Sequence, residues 1–347
     1  MEKIFDESTW DTYISGYTFY DCAILSEHGF GFVLVEEKDG DDDDDSAPMT
    51  RFIAMKIDNP IESRFNGSET NGFSKTTIAS SEHSRGYVAV DTGSKVYSID
   101  SERMGDERAI DRVLDMSTYN GMVGVIHKVV RAAGQVYALG DFRRIYRRIG
   151  VDQWIELGAE GAGVPMPAEI PSSSDYDSSI GFNDMSAFAK NDMYAVGGDG
   201  DVWRFDGKKW HNCPIPTNAS LETVCCAGNG IVYITELNGS VWAGRTDQWK
   251  KIADANLTAG FHPVDAFWFN NRLYLGSQQG IFAIDEKTKK VVPLKEVDED
   301  APNPTNGGRI DVSPDGRFLL TVGPYGACLH DGTKWRRLFS AFDFVEG

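Results

Sequence analysis

The side chains able to do acid–base or metal chemistry in these 347 residues are spread thinly. The six histidines (His28, His83, His127, His211, His262, His330) do not cluster in sequence, and the five cysteines (Cys22, Cys213, Cys225, Cys226, Cys328) show no CxxC spacing. There is no GxSxG elbow, no HExxH, no P-loop and no GxGxxG opening a helix. Isolated histidines of this kind read as surface or hydrogen-bonded core groups, and scattered cysteines as buried free thiols. The sequence therefore predicts no catalytic residue, no metal ligand set and no cofactor.

Carboxylate is the chemistry in excess. Asp and Glu number 53 against 34 Lys and Arg, a formal net charge of −19, which argues against nucleic acid or an anionic membrane as a partner and in favour of a basic protein. The acid is also concentrated. Glu36, Glu37, Asp39 and the run Asp41, Asp42, Asp43, Asp44 and Asp45 form one cluster, and Glu296, Asp298, Glu299 and Asp300 a second. Such runs can be solvating loops whose like charges repel, docking surfaces for a basic partner, or calcium ligands. GDDDDD lacks the alternating ligands, the Gly and the distal Glu of an EF-hand loop.

The elements that must position these groups are announced by internal repetition. NDMYAVGGDGDVWRFDGKKW from Asn191, GIVYITELNGSVWAGRTDQW from Gly230 and GQVYALGDFRRIYRRIGVDQW from Gly134 share one pattern. A Tyr (Tyr194, Tyr233, Tyr137) stands nine residues before a second aromatic (Trp203, Trp242, Tyr146), and a Trp (Trp210, Trp249, Trp154) follows seven or eight residues later. Weaker copies carry Tyr274 with Phe282, end at Tyr97, or end at Trp335, and a degenerate copy with an insertion runs from Tyr20 to Asp58. In the clearest copy, period-two alternation and the turn signals AKND, GGDG and DGKK predict four strands: Met185 to Lys190, DMYAVG, DVWRFD and KWHNC. A lone four-stranded sheet cannot cover both of its faces, whereas sheets packed round an axis bury both.

Units of roughly 40 to 50 residues resemble the blades of WD40-type and kelch-like propellers, without the Gly-His and Trp-Asp dipeptides of true WD40 repeats. The expectation is an all-β chain folded as a single β-propeller domain over 1–347. Its seven four-stranded blades would fall at approximately 20–60, 76–112, 122–160, 180–217, 219–255, 260–297 and 306–345. Six or eight blades are the alternatives, because Phe5 to Ser15 could supply a closing strand beside the C-terminal KWRRLF. The DGxxW turn, Asp206 to Trp210 and Asp331 to Trp335, is similar to bacterial propellers encoded beside polymorphic toxins of the Rhs and type VI secretion kind. That resemblance implies an immunity protein, a non-enzyme that binds and neutralises a cognate toxin domain.

On the repeat, the first acidic cluster falls between the second and third strands of the first blade, and the second between the sixth and seventh blades. Both connection types leave one end of a propeller, which predicts a single acidic sector, joined by the insert PSSSDYDSS (Pro171 to Ser179). The repeated Tyr and Trp positions read as packing between blades. Trp268, in FWFN on the innermost strand of blade six, breaks the pattern and is a candidate partner contact. The alternative function is a propeller enzyme, a lyase or glycoside hydrolase, with carboxylates and a His converging on the central channel. The opening MEKIFDESTW carries no apolar run of signal-peptide length, so the expected location is the cytoplasm.

Overall fold

The structure, a computed structural model, describes residues 3–38, 47–100, 102–113, 121–158, 161, 163–165, 181–255 and 261–344. Its repeating element is a four-stranded antiparallel meander. Unit 1 comprises β1 (Tyr17–Ser26), β2 (Gly29–Glu36), β3 (Thr50–Lys56) and β4 (Phe65–Thr70); unit 2, β5 (Thr77–Ser81), β6 (Gly86–Val90), β7 (Val96–Ile99) and β8 (Met104–Glu107). Unit 3 holds β9 (Ile126–Ala132), β10 (Gln135–Gly140), β11 (Arg144–Gly150) and β12 (Gln153–Glu156); unit 4, β13 (Asp184–Ala189), β14 (Asp192–Gly197), β15 (Asp201–Phe205) and β16 (Trp210–Asn212). Unit 5 is β17 (Leu221–Cys226), β18 (Val232–Glu236), β19 (Val241–Arg245) and β20 (Gln248–Ala255); unit 6, β21 (Asp265–Phe269), β22 (Arg272–Ser277), β23 (Gly280–Asp285) and β24 (Lys290–Pro293). Unit 7 is β25 (Arg309–Val312), β26 (Leu319–Gly323), β27 (Gly326–His330) and β28 (Trp335–Ser340). Units 5 and 6 merge into one eight-stranded sheet through a short parallel pairing of β20 with β24. The innermost strands adjoin in the order β1, β5, β9, β13, β17, β21, β25 and back to β1, which closes a ring.

The nine-residue spacing of the aromatics explains how the ring packs. Ala195 pairs with Trp203 and Tyr194 with Arg204, so Tyr194 and Trp203 lie one register position apart and face opposite sides of the sheet. Tyr137, Tyr194, Tyr233 and Tyr274 accordingly pack forward into the core shared with the next unit, while Tyr146, Trp203, Trp242 and Phe282 pack back into the core shared with the previous one. Each buried cluster is an interface between neighbouring units, so no unit has a core of its own. This is the β-propeller arrangement.

The turns joining third to fourth strands reuse one device. Oδ1 of Asp206 accepts the N–H groups of Lys208 and Lys209, and that of Asp331 those of Thr333 and Lys334; Asp100 does the same for Glu102 and Arg103. Gly207 and Gly332 follow at φ of 93° and 88°, a conformation that strains a side chain, which explains the DG dipeptide.

Two expectations are corrected here. The first unit extends past residue 60, because its fourth strand is β4, reached after a 3₁₀ turn at Ile61–Ser63. The segment Phe5 to Ser15 supplies no closing strand: Glu7–Tyr13 is a helix, α1. Asp6 caps it, accepting from the Thr9 N–H at 2.8 Å while the Thr9 hydroxyl accepts from the Asp6 N–H at 3.0 Å. Phe5 stacks on Phe65 of unit 1 and meets Phe339 of unit 7 edge-on, and Trp10 stacks on Phe344. The N-terminus thus clasps the first and last units together through side chains. No helix among the described residues is long and apolar enough to cross a membrane.

Candidate functional site

The innermost strands bring carboxylates to the ring's axis, where a propeller enzyme would hold its chemistry. Asp21, Asp184, Asp265 and Asp311 converge with Lys128, Arg131 and Arg309 around a cavity of about 60 Å³. Lys128 Nζ lies 3.0 Å from Asp265 and 3.3 Å from Asp184; Arg309 Nε lies 3.0 Å from both Asp21 and Asp265; Arg131 lies 3.5 Å from Asp311. Each carboxylate also accepts a backbone N–H from the next unit: Ile78 to Asp21, Val224 to Asp184, Ile310 to Asp265, and Ile24 to Asp311 across the closure of the ring. Thr77 does the same for the Val129 N–H with its hydroxyl. These donors belong to innermost strands with no fifth strand to pair with, and an orphaned buried N–H is costly, so the side chains stand in for the missing ladder.

The electrostatics follow from burial among mixed charges. Burial pushes the Asp21 carboxyl up to about 6 despite Arg309 beside it, and raises Asp184 and Asp311 above the ordinary range. Burial acts on Asp265 too, but Arg309 and Lys128 outweigh it and hold its pKa below the usual value. Every channel carboxylate is engaged by a cation and a backbone amide. The cavity of about 60 Å³ lies below the roughly 300 Å³ of ordinary small-molecule pockets.

A second polar device stands between units 3 and 4. His127 Nε2 lies 2.8 Å from Asp141 and Nδ1 2.8 Å from Asn183 Oδ1, whose own amide donates to the Leu221 carbonyl. Both ring nitrogens therefore face acceptors, which suits the doubly protonated ring. Burial works against that charge, but the Asp141 hydrogen bond and charge outweigh it and raise the His127 pKa.

The expected partner-binding residues are placed as follows. Glu36 ends β2, its carboxylate accepting from the Met49 N–H at 2.9 Å, and Glu37 is exposed with its N–H donating to the Gly16 carbonyl. Asp39 and Asp41 to Asp45, like Pro171 to Ser179, lie outside the described residues. Glu296 ends the 3₁₀ turn after β24 and is exposed; beyond it Asp298 is partly buried and Glu299 and Asp300 are exposed. Asp298 is 3.5 Å from Arg272 of β22 and accepts from the Asp300 N–H, so it also orders its own loop. Trp268 is half-buried and stacked on Tyr233 of unit 5, rings 5.6 Å apart and 8° from parallel. The channel groups escaped the sequence reading although a signal was there. Asp recurs on the first strand of four units, in YDC, NDMS, VDAF and RIDV, amid apolar residues that tolerate a carboxylate only when it is paired.

No family model matches the chain. Among curated proteins it is 30% identical over 205 residues to the "Immune protein Tsi7" of Pseudomonas aeruginosa. The match covers 59% of this chain and 61% of that protein, so the chain spans about three fifths of that relative's length. Among solved structures it is similar to virginiamycin B lyase from Staphylococcus aureus (TM-score 0.58, 10% identity, 93% of this chain and 94% of that one). It is also similar to the WD40 β-propeller domain of Doa1 (0.54, 8%, 92% and 92%) and to YCF48 bound to D1 peptide (0.55, 12%, 91% and 92%). At these identities the structural likenesses bear on the fold, and they agree with the ring described above.

Proposed function

We propose that this chain is a non-enzymatic, immunity-type propeller that neutralises a toxin by binding it in the cytoplasm. The observation that carries this reading is the 30% identity over 205 residues to an immune protein. The charge supports a basic partner, since −19 on a chain of this size steers cationic surfaces towards it and repels polyanions. The axis supports a binder over an enzyme, because its carboxylates are committed to pairing the units. YCF48 bound to D1 peptide is an instance of this architecture holding a polypeptide segment. On this reading Glu36, Glu37, Asp39, Asp41 to Asp45, Glu296, Asp298, Glu299, Asp300 and Trp268 belong to the partner's footprint, and the toxin is of the Rhs or type VI kind.

The test is co-expression with the polypeptide encoded immediately upstream of this chain's gene. Expected are restored growth and a complex that co-elutes in gel filtration. Reversing the charge of Asp41 to Asp45 should slow association and flatten its dependence on salt without changing the chain's melting temperature. No protection and no complex would overturn the immunity reading, and an unchanged association rate would reduce the Asp run to a solvating loop.

A further inference from the structure

Among the described residues, two of the exposed large apolar side chains are aromatic, and they stand together. Phe342 is 61% exposed, the most of any large apolar side chain among the described residues, and Tyr325 is 39% exposed. Their ring centroids are 5.9 Å apart in an edge-to-face arrangement. Tyr325 sits in the turn between β26 and β27, and Phe342 in a 3₁₀ turn directly after β28. The backbone ties both down: the Ala341 N–H donates to the Tyr325 carbonyl at 2.7 Å, and the Tyr325 N–H to the Thr305 carbonyl at 2.9 Å. Two residues on, Phe344 turns inward and stacks on Trp10 at 4.4 Å. The pair is therefore held outward by an ordered segment, an arrangement that gives an interface anchor little entropy to lose on binding.

We infer that Tyr325 and Phe342 anchor the toxin partner at the seam between units 7 and 1, taking a basic segment that carries an apolar side chain. This rests on the immunity reading above. The basic character follows from what surrounds the pair. Pro324, next to Tyr325, accepts from the Phe19 N–H at 3.1 Å, and three residues before Phe19 the Gly16 carbonyl accepts from the Glu37 N–H at 2.9 Å. The exposed Glu37 is thereby tied to the strand that meets Pro324, and Asp343, next to Phe342, lies 3.0 Å from Arg337. Aromatic faces flanked by carboxylates suit Lys or Arg with an adjacent apolar side chain, through cation–π contact, ion pairing and burial of the rings. A second copy of this chain is the wrong occupant, because it would set −19 against −19.

The experiment measures association and dissociation of the polypeptide encoded upstream, by surface plasmon resonance at two salt concentrations, and the mass of the free chain by light scattering. The paired substitutions Tyr325→Ala and Phe342→Ala should accelerate dissociation on the order of thirtyfold with little change in association. Glu37→Lys should slow association and weaken its salt dependence while leaving dissociation nearly unchanged. A wild-type complex that the double aromatic variant forms equally well overturns the anchor and leaves the immunity reading standing. Absence of a wild-type complex removes both. A free chain that is dimeric, and becomes monomeric in the double variant, overturns the proposal in favour of self-association.

Discussion

At the scale of single residues the chain carries buried groups whose protonation differs between the folded and unfolded states. Asp21 titrates near 6 when folded, against an ordinary carboxylate value of 3.8. Between those values the folded chain holds a proton that the unfolded chain has released, so stability falls as pH rises through this window and is level above it. His127 adds a second contribution of the same direction. Its pKa is raised above 6.5, so the stability it provides is present below that value and is lost as pH rises through the folded one. Asp21 and His127 therefore each favour the folded chain more at pH 5 than at pH 8, while burial lowers the His330 pKa and gives a contribution of opposite sign in the same window. Asp21→Asn should lessen the fall in melting temperature between about pH 4 and 6, to which Asp184 and Asp311 also contribute, and His127→Gln should lessen the fall above it. A pH dependence of melting left unchanged in both variants would contradict this assignment.

At the scale of elements, the seams between units matter more than any unit's interior. Gly31 of β2 shows this: a Cβ placed there would stand 2.5 Å from the Tyr87 ring of unit 2, which lies flat against the strand. Tyr87 is buried in the cluster shared by units 1 and 2, so its ring would have to leave that packing to make room. Gly31→Ala should destabilise by about 1–3 kcal/mol, the range for overpacking a filled core, measured as a lowered urea midpoint. Gly31→Ala combined with Tyr87→Phe should fare no better, because the clash is with the ring and not with its hydroxyl. Recovery in that double variant would show that the hydroxyl was the obstacle.

At the scale of the whole molecule, one junction differs from the rest. Units 1 and 7 are far apart in sequence, so the chain must spend more entropy to bring them together than any neighbouring pair. They are joined by the Asp311 bond to the Ile24 N–H and by the Phe5 and Trp10 clasp. Trp10 is buried in the cluster containing Phe32, Leu320 and Phe339. Trp10→Ala should cost about 3–5 kcal/mol, and hydrogen exchange should quicken first in β1 and β28. Uniform acceleration across all units would mean that the closure is no weaker than the other interfaces.

The four-stranded meander, its turns and its aromatic pattern are legible in the sequence because each is local. Period-two alternation, an Asp-Gly at the turn between third and fourth strands and a nine-residue spacing are properties of one short stretch of chain. The strand reading of Phe5 to Ser15 failed because that segment forms a capped helix whose place is set by contacts with Phe65 and Phe339 from opposite ends of the chain. The pairing of Lys128 with Asp184 and Asp265, of Arg309 with Asp21, and the exposure of Tyr325 and Phe342 were decided by tertiary structure alone. A charge's worth in a protein depends on which distant charge it meets and how far both are removed from water, and closure of the ring sets both.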